Sequence, residues 1–573
     1  MNNFNNSFNS YLIGKYKKRL LFSNEYYAEL FRIKNKKKYK IRFFKSFEEL
    51  QKYNNSDQKF ILKKLKKFRF LLTKKLNKIH STNLSEDYWG IHIDFYLLFI
   101  IKIIKNELNL LNKIGNKSKI KKKTFNHNLK FLSFKDFHDS FNENNLVLES
   151  LKDHIWHYYK YNKKKEINNS SVVNKKFSYY HYFITNLKFN FFRVLFSFFK
   201  PTLIVGGYFG KWRSIKFLFK SYGRLFFLPE KVIFPYIQKN FQTNLEMRKM
   251  LMIKADDKFD KLFNLLNVMS LPGSIVENFK FFQTRYSLLS KKLKNFGTGG
   301  SFFENDGCKF IAGLQKNEKK KFFSFQHGSP FNNSKFSFFE EIEKKYCNER
   351  FLWNQSDGLG NNYLHQYRKL RKNLESKKNI LFLPTKNYLY DPIYVNLAKK
   401  FHPSKNLNYE IFSGLSKKLK KITIIKLFPS KESIITKGIW MNRFGNSFKE
   451  IYFSNEKSIT FFKKAKIVIL DDISTAFYEL VYLNIPFILV MENLDQFNAK
   501  LRSKLIKLKK LKILFSDSSK AASFLNKNSN NIDHWWSRQI NKKNYKDIKK
   551  TLFNESKKNI DTLLINRLLK LKN

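Results

Sequence analysis

A polar sequence follows an apolar stretch near the middle of the chain. Residues 322–331 read FFSFQHGSPF, so Gln326, His327 and Gly328 come directly after four residues typical of a buried strand. An imidazole beside a glycine backbone that a substrate can approach can act as general base on an acceptor hydroxyl, or donate to a phosphate. We therefore take His327 as the candidate catalytic residue, with Gln326, Gly328 and Ser329 as substrate contacts. A histidine with a purely structural role is the alternative.

A second polar cluster follows the apolar sequence KIVIL and reads DDISTAFYELVYLNIP. Asp472, Ser474 and Thr475 stand where a helix is predicted to begin, and a helix start offers unpaired N–H groups and partial positive charge to a phosphate. Glu479, one turn later, is positioned to accept the hydroxyls of a ribose. The alternatives are an ordinary N-cap for the loop and a solvated helix glutamate.

Two further sites lie at predicted strand ends. Lys426 ends the sequence ITIIKLF, where an ammonium group would neutralise a diphosphate leaving group. One lysine is a weak signal in a lysine-rich chain. Gly206 and Gly207 follow the apolar sequence PTLIV, which predicts a buried strand and a tight loop, and we include both glycines among the candidate substrate contacts.

Other kinds of site have little support. No cluster of His, Cys and Asp has the spacing of metal ligands, and the adjacent Asp471 and Asp472 are expected to point apart. No phosphate-binding GxxxxGK[ST] loop occurs. The GTGG sequence at 297–300 follows a lysine-rich helical pattern, and we interpret it as a flexible turn. The sequence therefore predicts neither a metal nor a cofactor.

The elements that must position these residues are clearest in the second half of the chain. Six short apolar stretches begin at residues 379, 422, 450, 466, 486 and 512, and helical patterns lie between most of them. This alternation predicts a doubly wound parallel sheet, in which ligands bind outside the carboxyl ends of the strands. Residues 1 to about 170 read as mostly helical, with amphipathic patterns over 60–80 and 96–114.

The length and the charge set further limits. The chain has 573 residues, 43% of them hydrophobic, so it can fill several cores, and about 150 residues per domain suggests two to four domains. Its formal net charge of +66 attracts phosphate in any form. A genome rich in A and T explains the scattered lysines equally well. A non-enzymatic basic protein that binds nucleic acid or an anionic membrane is therefore the rival hypothesis.

The cysteines and the hydropathy indicate the compartment. Two cysteines, Cys308 and Cys347, cannot build a disulfide framework, which fits a reducing cytoplasm. The start of the chain lacks the pattern of a signal peptide, and no apolar stretch reaches the roughly 20 residues that span a bilayer. We expect a cytoplasmic protein. Peripheral contact with the inner face of the plasma membrane is compatible with the charge.

Several segments together resemble a bacterial transferase family of surface-carbohydrate biosynthesis. They are LNKIHSTNLSEDYWGIHIDFYLLF, ENDGCKFIAGLQKNEKKKFFSFQHGS, EEIEKKYCNERFLWN, FFKKAKIVILDDISTAFYELVYLNIPFIL and NIDHWWS, in that order between about Leu76 and Trp536. The layout is similar to that of CDP-glycerol glycerophosphotransferases and capsule glycosyltransferases of the GT-B fold.

The resemblance implies an α/β, GT-B-like enzyme with two Rossmann-like domains and a helical N-terminal region. The expected division is a helical region at 1–175, an acceptor-side domain at 176–375, a nucleotide-donor domain at 376–530 and a helical tail at 531–573. The implied reaction moves a sugar or polyol-phosphate group from a nucleotide-activated donor to a glycan or lipid-linked acceptor, with no specific nucleic-acid partner.

The resemblance also implies a role for each candidate residue. His327 takes the position of the family's histidine before glycine, and Lys426 that of its basic residue before a proline. Asp472, Ser474, Thr475 and Glu479 match the donor loop and helix. Two departures stand out: Ser329-Pro330 replaces further glycine, and Leu427-Phe428 removes a second polar group.

Overall fold

The fold is described from a computed structural model. The residues described are 12–16, 19–22, 40–42, 55–114, 129, 131–137, 145–161, 179–207, 209–234, 243–326, 328, 333–353, 378–385, 407–428, 431–454, 456–462, 464–553 and 560–570.

A small sheet and three helices come first in the chain. Strands β1 and β2 are antiparallel and β3 pairs with β2 in parallel, a sheet that the sequence analysis did not predict. The helices predicted over 60–80 and 96–114 are confirmed as parts of longer helices. The bounds are Leu12–Tyr16 (β1), Arg19–Phe22 (β2), Lys40–Arg42 (β3), Asn55–His80 (α1), Glu86–Ile114 (α2) and Asn145–Tyr161 (α3).

Five parallel strands form the first large sheet, in the order β5-β4-β6-β7-β8. The strands are Thr202–Val205 (β4), Leu225–Leu228 (β5), Asn295–Thr298 (β6), Phe322–Phe325 (β7) and Glu349–Phe351 (β8). The helices are Tyr179–Phe199 (α4), Lys211–Lys220 (α5), Glu230–Ile233 (α6), Leu245–Met250 (α7), Lys258–Ser270 (α8), Phe279–Ser290 (α9), Asp306–Asn317 (α10) and Phe338–Tyr346 (α11). Successive strand residues such as Leu203 and Ile204 join separate cores on the two faces, as the two-residue period of a strand requires.

Six parallel strands form the second large sheet, in the order β11-β10-β9-β12-β13-β14. The strands are Asn379–Leu383 (β9), Thr423–Leu427 (β10), Glu450–Phe453 (β11), Ala465–Leu470 (β12), Phe487–Val490 (β13) and Leu514–Phe515 (β14). The helices are Leu407–Gly414 (α12), Lys417–Lys421 (α13), Lys431–Phe444 (α14), Ser458–Phe462 (α15), Thr475–Leu483 (α16), Ala499–Lys510 (α17) and Ser518–Asn528 (α18). All six predicted strands are confirmed, and the fold is α/β with two Rossmann-like parallel sheets.

The last helices connect the second sheet back to the first. They are Ile532–Asn541 (α19), Lys543–Phe553 (α20) and Ile560–Leu569 (α21). Leu564, Ile565 and Leu568 of α21 are buried in the same apolar cluster as Ile204 of β4. Asp561 accepts a hydrogen bond of 2.8 Å from Arg213 Nε on α5. The end of the chain therefore packs on the first sheet after the second sheet is complete.

The interpretation of GTGG as a flexible turn was wrong for its first two residues. Gly297 and Thr298 lie in β6, between β4 and β7 in the first sheet, and not in a flexible turn. A Cβ atom on Gly297 would lie 2.0 Å from the Phe323 ring. The glycine therefore serves close packing against the neighbouring strand.

Within the described ranges, none of the helices is long and apolar enough to cross a membrane.

Candidate functional site

The end of β7 and the start of α16 meet between the two sheets. Gly328 has a φ of +77°, and a Cβ atom built on it would lie 3.3 Å from Thr475 Oγ1. Gly328 follows a strand of the first sheet, and Thr475 follows a strand of the second sheet. The two polar clusters singled out in the sequence are therefore neighbours in the fold.

Gln326 holds the loop that follows β7. Its Nε2 donates to Gly328 O at 3.0 Å, and its Oε1 accepts from Trp353 N at 2.8 Å. The side chain is buried, and its backbone N–H donates to Phe351 O. These bonds make Gln326 a positioning residue for the glycine. Direct contact between Gln326 and substrate stays a prediction.

Three residues that the sequence analysis did not single out join the two sheets beside this loop. Tyr478 of α16 donates a hydrogen bond of 2.9 Å to Asn333 Oδ1, and its ring packs edge to face on Trp353 at 5.2 Å. Asn333 O accepts from Asn498 N at 2.8 Å. Trp353 and Tyr478 lie in segments quoted for the resemblance, whereas Asn333 lies in none of them.

The start of α16 is not capped by a side chain. Ser474 occupies the N-cap position, and no side-chain hydrogen bond caps the helix. Asp472 Oδ1 accepts from the neighbouring Ile473 N. The next two long helices differ, because Asn498 caps α17 and Asp517 caps α18. The backbone N–H groups at the start of α16 therefore suit an anionic ligand.

Asp471 connects the ends of neighbouring elements. Its Oδ1 accepts from Thr385 N at 2.9 Å and from the Thr385 hydroxyl, and its Oδ2 accepts from Asn408 Nδ2 at 2.8 Å. Thr385 follows β9 and Asn408 lies in α12. Asp471 thus fixes the carboxyl edge of the second sheet, next to the loop that leads into α16.

Glu479 lies four residues after Thr475 and therefore on the same face of α16. Its side chain is buried. Because Thr475 faces Gly328, Glu479 follows it along the side of the helix that is turned toward the first sheet. This position is compatible with the predicted contact to a ribose, which stays a prediction.

Lys426 is buried at the end of β10. Its Nζ donates to Ser454 O at 3.4 Å and lies 5.3 Å from the centre of the Phe461 ring. Burial lowers the pKa of Lys426, although Glu456 acts in the opposite direction. Ser454 follows β11, which is on the far side of β10 from β12. The predicted contact of Lys426 with a diphosphate stays a prediction.

Gly206 and Gly207 end β4 at the same edge of the first sheet as Gln326. Gly206 has a φ of +67°, and a Cβ atom on Gly207 would lie 2.3 Å from the Phe209 ring. Phe209 in turn packs edge to face on Phe325, the last residue of β7. The glycines therefore let this loop fold closely, and their contact with substrate stays a prediction.

Two of the predicted site residues, His327 and Ser329, lie outside the described residues. In the described part of the chain, no group of three or more His, Cys, Asp or Glu side chains could hold a metal ion.

The N-terminal and the central segments of the resemblance meet in a buried polar cluster. Lys309 Nζ donates to His92 O at 3.2 Å, and Asp306 accepts from Phe134 N at 3.1 Å. Burial lowers the pKa of Lys309 to about 7 and raises that of Asp306 to about 6. Lys309 of α10 is therefore in direct polar contact with the backbone of α2.

The family follows from a comparison with protein-family models. The model described as LIC12162 family transferase matches residues 10–568. The chain belongs to this family. It is accordingly a transferase, and the resemblance found in the sequence segments is confirmed. In a search of the curated proteins, no match was found.

Solved structures of the wall teichoic acid polymerase TagF are similar to this family member at a low level. A histidine-to-asparagine variant and the protein itself have 11% and 12% sequence identity, each with a TM-score of 0.33. A variant crystal soaked with CDPG has 11% identity and a TM-score of 0.31. Each match covers 69% of this chain and 98% of the TagF chain.

Proposed function

We propose that this transferase moves a sugar or polyol-phosphate group from a nucleotide-activated donor to a glycan or lipid-linked acceptor. One observation carries the proposal. Gly328, at the end of a strand in the first sheet, lies against Thr475 at the uncapped start of α16 in the second sheet. This arrangement leaves helix N–H groups and a hydroxyl beside a backbone that a substrate can approach closely.

The donor would lie on the second sheet. The N–H groups at the start of α16, with the hydroxyls of Ser474 and Thr475, would bind the donor phosphates. Glu479 would accept the ribose hydroxyls, and Asp472 would shape the loop. Lys426 would add positive charge toward the leaving phosphate.

The acceptor would approach from the first sheet, near Gly206, Gly207 and the loop after β7. His327 would take the proton of the acceptor hydroxyl as its oxygen forms the new bond. For a sugar donor, the bond between the sugar and the diphosphate breaks. For a polyol-phosphate donor, the bond between the two phosphates breaks and a nucleoside monophosphate leaves.

The proposed division of labour follows the domains expected from the sequence. Residues 176–375 would carry the acceptor and residues 376–530 the donor, between a helical region at 1–175 and a tail at 531–573. We further propose that the enzyme works in the cytoplasm at the inner face of the membrane. The rival hypothesis, a non-enzymatic basic protein, has no support from the family.

A thermal-shift panel tests donor binding. The full chain is melted with CMP, CDP, UDP, GDP, ADP or a short DNA duplex. A ligand at 100 times its Kd adds about 2.7 kcal/mol to the native state. We expect one nucleotide class to raise Tm. Thr475→Val should weaken its binding about tenfold or more, since a hydrogen bond to a charged group contributes roughly 1.5–3 kcal/mol.

The matched control is Thr284→Val, because Thr284 is exposed on α9. This variant should bind the nucleotide like the unmodified chain. If only DNA raised Tm, or if Thr475→Val and Thr284→Val bound the nucleotide equally well, the proposed donor site would be wrong.

A further inference from the structure

Helix α4 carries a stripe of exposed apolar side chains. Phe183, Leu187, Phe191, Val194 and Phe198 are 60%, 52%, 62%, 53% and 80% exposed. Their spacing of three and four residues places them within an arc of about 80° along roughly 22 Å of helix. We call these five residues the α4 stripe.

The opposite side of α4 is apolar as well. Phe189 and Phe196 are buried, and their rings pack on Tyr286 and Phe226. A helix that is hydrophobic all round is normally buried on all sides. The α4 stripe therefore has the composition of a contact surface, and a contiguous exposed patch of this kind marks an interaction site.

The charge around the stripe indicates the chemistry of the partner. Residues 179–224 contain eight Lys and Arg and no Asp or Glu, and two of the eight, Arg213 and Lys216, form ion pairs with Asp561. On a helical projection, Lys188 and Arg193 lie on opposite sides of the stripe, about 100° and 120° from its centre. Lys188 and Lys200 are exposed. The surface thus combines an apolar centre with a basic border.

The turn after α5 extends this surface at the end of α4. A Cβ atom on Gly223 would lie 2.6 Å from the Phe199 ring, so the turn packs directly on the helix end. Phe219 and Tyr222 in this region are 74% and 86% exposed. Tyrosine is enriched at the boundary between lipid and water, and exposed phenylalanine adds apolar area to such a surface.

We propose that the α4 stripe docks on an anionic lipid surface. The five apolar side chains would enter the boundary between head groups and acyl chains, and Lys188, Arg193 and Lys200 would contact lipid phosphates. A second copy of the chain docked on the stripe would bring two positively charged surfaces together, and they would repel each other. A nucleic acid would leave the apolar centre exposed to water. The inference rests on α4 and does not depend on the transfer reaction.

Vesicle flotation with the full chain tests this proposal without donor or acceptor. Phosphatidylcholine vesicles are compared with vesicles that also contain phosphatidylglycerol. The test variant combines Leu187→Gln, Phe191→Gln and Phe198→Gln. We expect the unmodified chain to bind the anionic vesicles, and the triple variant to lose at least about tenfold in binding.

Two matched controls separate the stripe from general surface effects. Phe70→Gln, Met441→Gln and Ile506→Gln together remove exposed apolar groups outside the stripe and its extension and should leave binding unchanged. Lys188→Glu with Lys200→Glu should reduce binding to anionic vesicles by about tenfold. Lys509→Glu with Lys510→Glu, at exposed positions of α17, should reduce binding to anionic vesicles much less.

Circular dichroism and Tm show whether the triple variant is folded. If it is not, the single variant Phe198→Gln replaces it, because this side chain is the most exposed of the stripe. Equal vesicle binding by the variant and the unmodified chain would overturn the proposal. The proposal would also be wrong if the triple variant still bound vesicles but no longer self-associated. The same holds if the triple variant still bound vesicles but no longer bound single-stranded DNA. If vesicle binding fails while a nucleotide still raises Tm, the proposed transfer reaction stands and only the proposed location at the membrane is wrong.

Discussion

At the scale of the residue, Gly328 combines two constraints where the two sheets meet. Its φ of +77° lies in the left-handed region that favours glycine, and a methyl group there would approach Thr475 Oγ1 to 3.3 Å. Gly210 also has a positive φ, +74°, but nothing lies within 4 Å of the position of its Cβ. The two glycines therefore share a positive φ and differ in their surroundings.

Gly328→Ala and Gly210→Ala form a matched pair. Each should destabilise the fold by about 1–2 kcal/mol, because an L-residue is strained in the left-handed region. Only Gly328→Ala should also weaken nucleotide binding and turnover, since its methyl group crowds the Thr475 hydroxyl. Urea unfolding and nucleotide titration of both variants measure the two effects. Equal nucleotide affinity in both variants would show that Gly328 does not border the donor site.

At the scale of the element, α16 has two tasks. Its first turn offers N–H groups to the proposed phosphate site, and its second turn connects the sheets through Tyr478 and Asn333. Tyr478 and Tyr88 are both buried tyrosines. The hydroxyl of Tyr88 has no hydrogen-bond partner within the described structure, whereas that of Tyr478 donates to Asn333.

The substitutions Tyr478→Phe and Tyr88→Phe test the connecting task. Tyr478→Phe should destabilise the chain by about 1–3 kcal/mol, because it removes a donor from a buried acceptor. Tyr88→Phe should be neutral or stabilising, because it removes a buried hydroxyl that makes no hydrogen bond. The urea midpoints of the two variants measure these changes in stability. A larger loss for Tyr88→Phe would contradict the role of Tyr478 in joining the sheets.

The elements that carry the proposed donor site could be predicted from the sequence because their signals are local. Six short apolar strands and the polar residues after KIVIL were sufficient to locate the edge of the second sheet. The contact of Asn333 with Tyr478 could not be predicted, since it depends on how two distant segments are oriented. The error at GTGG arose because glycines are typical of turns. The reason for Gly297 inside a buried strand is the ring of Phe323 on the neighbouring strand, and the sequence does not show that contact.

At the scale of the whole molecule, α21 joins the end of the chain to the first sheet. Asp561 forms ion pairs with Arg213 and Lys216 of α5. Burial alone would raise the pKa of Asp561, but the charges and hydrogen bonds of Arg213 and Lys216 outweigh it and lower that pKa below its ordinary value of 3.8. A carboxyl group with a lowered pKa stabilises the fold above its unfolded pKa, and this contribution disappears as the pH falls through the folded pKa.

Asp561→Asn should therefore lower the urea midpoint at neutral pH. The difference from the unmodified chain should shrink as the pH falls below about 4, because Asp561 then becomes protonated in the unmodified chain too. Asp495→Asn is the matched control, since Asp495 pairs with Arg502 at an exposed position. Exposed ion pairs contribute only about 0–1 kcal/mol. A difference for Asp561→Asn that does not change with pH would contradict this account.

We expect a nucleotide-activated donor to bind where α16 begins, beside Gly328. The most direct test is a crystal structure of the chain with the nucleotide that the thermal-shift panel selects. We predict a phosphate oxygen about 3 Å from a backbone nitrogen at Thr475 or Ala476. Glu479 should lie within hydrogen-bond distance of the ribose. A nucleotide bound elsewhere, for example beside Tyr452 and Glu456, with the start of α16 unoccupied, would contradict the account.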